Sequence, residues 1–264
     1  MIRWTVLLLQ TVFLLLGQSS NGQTTLDNCQ VRILVTIQDI PIFVLYESGK
    51  VIYTTDRIKL NIRPKYVNSY LTDSLSKQEK ESFIASFNLD TFYYKQVISI
   101  AINPDVDDGG EHLLIYTNIN NKKKTNVIYD FQEDKIGNIP PFLVSLFKKT
   151  YYYDSKQSQP YEATTIQVHL FSRQDLKSKR NTWSFDWQEY KKTTIKSTQS
   201  GSGYPMLLID SIHQKEIFTV SKKERLISLN DVNFEILLAR PNLPSDSCFS
   251  DCYYYLKDKK SKTK

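Results

Sequence analysis

The sequence contains neither H-E-x-x-H nor G-x-S-x-G, and it has no glycine-rich phosphate loop, so the commonest hydrolytic and phosphoryl-transfer sites leave no local signature. Histidine is scarce. His112, His169 and His213 are the only three, and none stands in a metal-binding motif, so a structural role is the ordinary reading of each. No Asn-x-Ser/Thr acceptor occurs: Asn68 and Asn181 miss by one position, and N-glycosylation is not expected. Cysteine is limited to Cys29, Cys248 and Cys252, whose C-x3-C pair has no second pair and no nearby histidine, which argues against a metal site. A membrane-spanning run is missing too. The longest apolar stretch, Trp4 to Leu16, covers 13 residues, below the roughly 20 that a helix needs to cross the hydrocarbon core.

That short stretch has a different reading. Arg3 is the only charge in the first 26 residues, the apolar run follows it, and Gly17, Gln18, Ser19 and Ser20 end it. Ser20 and Gly22 supply small residues for signal peptidase, so residues 1–22 are expected to be a cleaved signal peptide, with a frame after Ser19 as the alternative. The mature chain would begin at Gln23, be secreted, and span no membrane. Lipidation is set aside because Cys29 follows Leu26, Asp27 and Asn28, far beyond the apolar run. Export places the cysteines in an oxidising compartment, where one disulfide is expected. Joining Cys29 to Cys248 or Cys252 would close more than 200 residues, worth on the order of 5 kcal/mol in the chain-entropy treatment. A small Cys248–Cys252 ring is the other pairing, and an odd thiol remains in either case.

Removing the first 22 residues leaves 242, long enough for one large domain or two small ones, and 41% hydrophobic residues exclude general disorder. Only Arg3 leaves the charge count, so the mature chain carries 33 basic and 28 acidic residues, a net of +5. That excess is too mild and dispersed for a nucleic-acid partner.

The hydropathy pattern predicts an α+β fold: an antiparallel sheet meander with two short helices in residues 29–153, then a β-rich region in 160–256 and a basic tail in 257–264. Gln30 to Gln38 alternates as a half-buried strand does. Ile42 to Tyr46 and Val51 to Thr55 form a hairpin around Glu47, Ser48, Gly49 and Lys50, with glycine at a position of positive φ. Arg57 to Ile62 alternates again. Ser76 and Glu79 have capping-box spacing ahead of Phe83, Ile84 and Phe87, which predicts a helix over 77–87. Gln96 to Ile102, His112 to Thr117 and Thr125 to Phe131 read as three strands of a meander. Pro140 and Pro141 open a second helix that ends near Tyr151. Asp154 to Glu162, with Pro160, reads as a linker or long connection. Strands are expected at Thr164 to Ser172, Met206 to Asp210, Glu216 to Val220 and Val232 to Leu238, with a loop at Thr198 to Gly203. No internal repeat has a fixed period.

The Gly-Lys hairpin, the helix opening Ser-Lys-Gln-Glu, the strand meander, and the Ile139-Pro140-Pro141 start of the last helix together span Phe43 to Tyr151. In this order they resemble emfourin, a bacterial inhibitor of metallopeptidases, and similar small exported α+β domains. The resemblance implies a peptidase inhibitor. It carries no motif that assigns contact residues, and the β-rich second half has no counterpart in that family.

Asp105, Asp107, Asp108 and Glu111 surround Gly109 and Gly110, a set that could wrap calcium, although the EF-hand order fails and a solvated turn explains the same residues. Asp186 and Glu189 are a conceivable carboxylate pair. Tyrosine is abundant, with 17 copies and the triplets Tyr151 to Tyr153 and Tyr253 to Tyr255. Exposed tyrosines near Trp183 and Trp187 could stack on a sugar or a protein partner, with core packing as the alternative. Basic groups recur at Lys122 to Lys124, Lys148 and Lys149, Lys177 to Arg180, Lys191 and Lys192, and Lys222 to Arg225, and read as solvated surface, with a heparin-like or acidic-surface contact as the alternative if folding gathers them on one face. The expectation is a secreted, non-enzymatic binding protein without cofactor, whose ligand is an extracellular protein or glycan. A peptidase inhibitor and a hydrolase with an unrecognised site are the alternatives.

Overall fold

The computed structural model describes residues 30–37, 40–54, 69–89, 99–101, 112–129, 131, 139–172, 183–190, 192–196, 203–219, 226–229 and 232–244. The fold is α+β and rich in strands: an antiparallel meander with short helices, followed by a second sheet.

The first sheet is built from β1 (Val31–Ile37), β2 (Ile40–Tyr46), β3 (Lys50–Thr54), β4 (Tyr70–Ser74), β5 (Ser99–Ala101), β6 (Leu113–Ile119), β7 (Lys122–Tyr129) and β8 (Gln159–Pro160). Their spatial order is β5-β7-β6-β1-β2-β3-β4-β8. β1 and β2 lie near the middle. Every residue of β2 is buried, as are six of the seven in β1, so both faces of this strand pair are covered.

Helix α1 (Lys77–Ala85) begins as its sequence dictates. The Ser76 hydroxyl accepts from the Glu79 amide, and the Glu79 carboxylate accepts from the Ser76 amide. Helix α2 (Pro141–Tyr151) opens on proline and packs against β2 through Leu143, Leu146 and Phe147. Phe43 of β2 meets Phe83 of α1 at 5.7 Å and Tyr153 beyond α2 at 5.2 Å between ring centroids. A polar bridge ties α1 to the sheet. Lys80, only 7% exposed, donates to the Glu47 carbonyl at 2.6 Å and its carboxylate at 3.1 Å. Arg32 of β1 pairs with the same carboxylate and donates to the Asn118 carbonyl of β6 at 3.2 Å. The hydrogen bond from Arg32 is the main reason that the Glu47 carboxyl lies below its usual pKa.

The second sheet contains β9 (Thr165–Ser172), β10 (Lys192–Lys196), β11 (Gly203–Asp210), β12 (Leu226–Leu229) and β13 (Val232–Pro241), in the order β10-β11-β9-β13-β12, all antiparallel. One face buries Ile166, Val168, Leu170, Leu207, Ile209, Ile227, Phe234 and Ile236. The two sheets meet at a polar seam. Asn242 accepts from Tyr161 Oη at its carbonyl (3.1 Å) and from Gln167 Nε2 at Oδ1 (3.0 Å), and donates to Thr165 Oγ1 (3.1 Å). Leu238 and Leu243 complete the junction by joining the first core.

Three expectations change. β5 runs parallel to β7 and lies on its outer side, so the meander proper is the β6–β7 hairpin turning at Asn120 and Asn121, both at positive φ. The stretch Asp154 to Glu162 is not a free linker, because Gln159 and Pro160 add β8 to the edge of the first sheet beside β4. Glu216 to Val220 was expected as a strand, yet the chain forms helix α3 (Gln214–Thr219) there. Alternating Glu-Ile-Phe-Thr imitates a strand, but Ile217 alone is buried and the Thr219 hydroxyl donates back to the Lys215 carbonyl, a helical contact. β4, β10 and β12 had no counterpart in the sequence reading. Arg57 to Ile62, residues 1–29 and the basic tail lie outside the described residues.

Tyr153 anchors the end of α2. Its hydroxyl donates to Asp73 Oδ2 at 2.8 Å and its ring meets Phe43, Tyr53 and Phe83. Burial first, then the Asp73 carboxylate, push the tyrosine pKa well above 10. Burial works the other way on Asp73, but hydrogen bonds from Tyr153, Ser155 and the Ser74 amide hold its carboxyl below the usual range. The Asp73 contribution is therefore present above its unfolded pKa near 4 and is lost as pH falls through the lowered folded value. The Tyr153 contribution is present below about 10 and is lost as pH rises through the raised one. Tyr153→Phe should lower stability by about 1 kcal/mol at pH 7 and by less at pH 2, because acid drives the carboxyl toward its protonated form. Urea denaturation at both pH values measures this; an equal deficit at both would remove the Asp73 bond as its cause.

Gly49 has φ +90°, and a Cβ there would stand 2.2 Å from the Leu75 carbonyl oxygen. The hairpin is closed on both sides of it: its amide donates to the Tyr46 carbonyl at 3.0 Å and its carbonyl accepts from Leu75 at 2.9 Å. Gly49→Ala should cost about 2 kcal/mol or more, read as a lower denaturation midpoint, and an unchanged midpoint would contradict the close approach.

Candidate aromatic binding site

In Trp183-Ser184-Phe185-Asp186-Trp187 a large ring occupies every second position, so an extended chain sends three rings to one side. The stretch then closes into a 3-10 turn, Trp187–Glu189, whose Gln188 amide donates to Asp186 Oδ1 at 2.9 Å. Trp187 sits 4% exposed in the second core, while Trp183, Phe185 and Tyr190 pack over it half-buried. Ring centroids lie 4.9 Å apart for Trp183 and Trp187 and 4.8 Å for Phe185 and Trp187.

The second wall comes from the end of β11. A 3-10 turn, Ser211–His213, follows Asp210 and runs directly into α3. His213 stacks on Phe185, with 3.9 Å between ring centroids and 25° between planes, and Tyr190 stands edge-on to both at 5.9 and 6.1 Å. Beside His213, Ile212 is 80% exposed, the most exposed large apolar side chain among the described residues. Glu216 on α3 clamps the two walls: its carboxylate accepts from the Ser184 amide at 2.8 Å and from the Ser184 hydroxyl. Trp183 Nε1 donates to the Leu226 carbonyl at 3.4 Å, whereas the buried Trp187 Nε1 has no hydrogen-bond partner among the described residues.

Carboxylates border these rings. Burial chiefly, and then Asp210 and Glu189, raise the Tyr190 hydroxyl pKa, so the field of both acids reaches the ring. The arrangement sets half-buried, mutually tilted rings beside the exposed Ile212 and the exposed Asp186, Glu189 and Asp210.

The sequence-level candidates fare unequally. Trp183 and Trp187 do stand together, but Trp187 is core and presents no open face. Asp186 and Glu189 are both exposed, and Asp186 is occupied in capping the turn. His112 is buried, and His169 faces Gln167 Oε1 at 3.2 Å. Cys29, Cys248, Cys252 and the loop of Asp105, Asp107, Asp108 and Glu111 lie outside the described residues. Phe185, Tyr190, Ile212 and His213 were not singled out beforehand. The i, i+2 aromatic spacing was available as a signal for Phe185, whereas nothing local joins His213 to it across 28 positions. Among the described residues, no three His, Cys, Asp or Glu side chains gather to hold a metal ion, and no helix is long and apolar enough to cross a membrane.

Glu216→Ala should release the Trp183–Tyr190 segment from α3 at a cost of about 1–2 kcal/mol, with red-shifted tryptophan emission and stronger acrylamide quenching. Unaltered emission and quenching would show that packing alone holds the segment.

Comparison of the chain with family models, with curated proteins and with solved structures finds no match.

Proposed function

We propose that the chain is a secreted, non-enzymatic interaction protein whose contact surface is the platform of Phe185, Tyr190, His213 and Ile212. The single observation carrying this reading is the stacked Phe185–His213 pair with Ile212, 80% exposed, at its side. A large apolar side chain this open, next in the chain to the ring that stacks on Phe185, suits burial against a partner. The backing favours the same role. Trp187 below and the Ser184–Glu216 clamp beside it hold the rings in place, so little side-chain freedom is left to lose on association. Export rests on Arg3 and the apolar run that ends before Ser19 and Ser20.

Two measurements test this. Expression in a secreting eukaryotic host should release a product beginning at Gln23, or at Ser20 for the alternative frame; retention of Met1 in the cell would refute export. Ile212→Asp should reduce retention of the extracellular partner, captured from the native milieu, by about tenfold or more while leaving the thermal midpoint unchanged, because the residue touches little of the core. Undiminished capture by Ile212→Asp and by Phe185→Ala would exclude the platform as the contact surface.

A further inference from the structure

We infer that helix α1 is an acid-released flap, which below about pH 4 leaves the first sheet as a unit, ahead of the strands it covers, and opens the aromatic surface around Phe43. The helix has little of its own to keep it in place. It runs for nine residues, fewer than the roughly 12–15 that hold helical form alone in water, and Lys80 and Ile84 are its only buried members. Three carboxylates fasten it. Glu79 on the helix accepts from the Ser76 amide at 2.8 Å and completes the capping box. Glu47, in the turn after β2, holds Lys80 at 3.1 Å and pairs with Arg32 of β1. Asp73 of β4 accepts from Tyr153 Oη at 2.8 Å, and the Tyr153 ring stands edge-on to Phe83 of α1 with 5.8 Å between centroids.

Acid acts on all three in one direction. The hydrogen bond from Arg32 chiefly holds the Glu47 carboxyl below its usual range, and contacts with the Ser76 side chain and amide do the same for Glu79 against the like charge of Asp73. Burial raises the Asp73 carboxyl, but the bonds from Tyr153, Ser155 and the Ser74 amide outweigh it. Detached, the three return to ordinary values of about 4, so their hold is complete above that pH and is lost as pH falls through the lowered values. Protonating Glu47 also leaves Lys80, 7% exposed, and Arg32 as neighbouring cations, with Glu81 at 3.8 Å from Lys80 as the remaining carboxylate. Lys77, exposed on the helix, and Lys149 of α2, which donates to the Ser86 carbonyl at 2.8 Å, are the further cations at this element, and an ammonium has no site for another proton. The strands beneath are held differently. β2 keeps its ladders to β1 and β3 and its cover from α2 through Leu143, Leu146 and Phe147, and none of these contacts titrates.

The test follows hydrogen exchange of the full mature protein at pH 6 and pH 3 by mass spectrometry of peptic fragments, corrected for the intrinsic pH dependence of exchange. The α1 fragment should lose protection by about tenfold or more relative to fragments covering β1 and β2. Equal loss in α1, β1 and β2 would make the acid transition a global unfolding and overturn the flap, and undiminished α1 protection at pH 3 would overturn it as well. The double variant Glu47→Gln and Asp73→Asn removes two of the charges with little change of shape. It should show at pH 6 the α1 exchange that the native protein shows at pH 3, with β1 and β2 still protected, and native α1 exchange in this variant would remove the carboxylates as the cause. Where the double variant is too unstable to compare, Glu79→Gln, exposed and able to keep the cap geometry, should narrow the gap in α1 exchange between the two pH values. An unchanged gap would again remove the carboxylates as the cause.

Discussion

Everything in the first half of the molecule follows from β1 and β2 being apolar on both faces. A strand pair of this kind cannot lie at a surface. Seven consecutive buried residues in β2 demand cover above and below, at roughly 1.5–3 kcal/mol for each large side chain withdrawn from water. Helices α1 and α2 supply cover over Phe43, and their sequences are committed to it through Phe83, Ile84, Leu143, Leu146 and Phe147. Helix α1 could slide on so smooth a surface. The Arg32–Glu47–Lys80 bridge sets its position, because a buried lysine tolerates its site only where carbonyl and carboxylate oxygens receive its protons. Leu238 and Leu243 bring the second sheet into the same core, and the Asn242 hydrogen bonds fix the register of that junction.

The second sheet has a smaller version of the problem. Its strands alternate, so one face needs a lid, and among the described residues no long helix is present to provide it. The lid is made from aromatic rings and the short helix α3 instead, with Trp187 and Ile217 as its buried members. Rings are wide relative to the backbone that carries them. Once Trp187 fills the gap, Phe185 and Tyr190 lie over it half-buried, with His213 stacked on Phe185. The proposed contact surface is thus the reverse side of a stabilising element rather than an addition to it.

What was legible in the sequence was what depends on near neighbours. The capping box at Ser76 and Glu79, the glycine of the β2–β3 turn, and the proline start of α2 are each decided within four residues, and each stands where expected. The parallel docking of β5 on β7 is decided by chain crossings that no local pattern carries. β4, Tyr-Leu-Thr-Asp-Ser, is too polar to announce itself and becomes a strand because β3 offers it a row of partners. The platform divides in the same way. Its aromatic spacing is written in residues 183–187, but the stacking partner His213 and the clamp Glu216 arrive through α3, whose sequence imitates a strand.

Because the platform is also a lid, stability and recognition are coupled there. A substitution at Trp187 would open the second core and displace Phe185 together, so loss of binding in such a variant carries no information about contact. The exposed positions are different. Ile212, Asp210 and Glu189 are exposed, and changes there leave the second core packed. The coupling also runs from ligand to fold. A partner that binds only the assembled platform must raise the unfolding free energy by RT ln(1 + [L]/Kd), about 2.7 kcal/mol at a hundredfold excess over Kd. That gain falls on the second sheet first, since its lid is the element the partner holds in place. The first core, joined through Leu238, Leu243 and the Asn242 seam, shares in it to the extent that this junction transmits order.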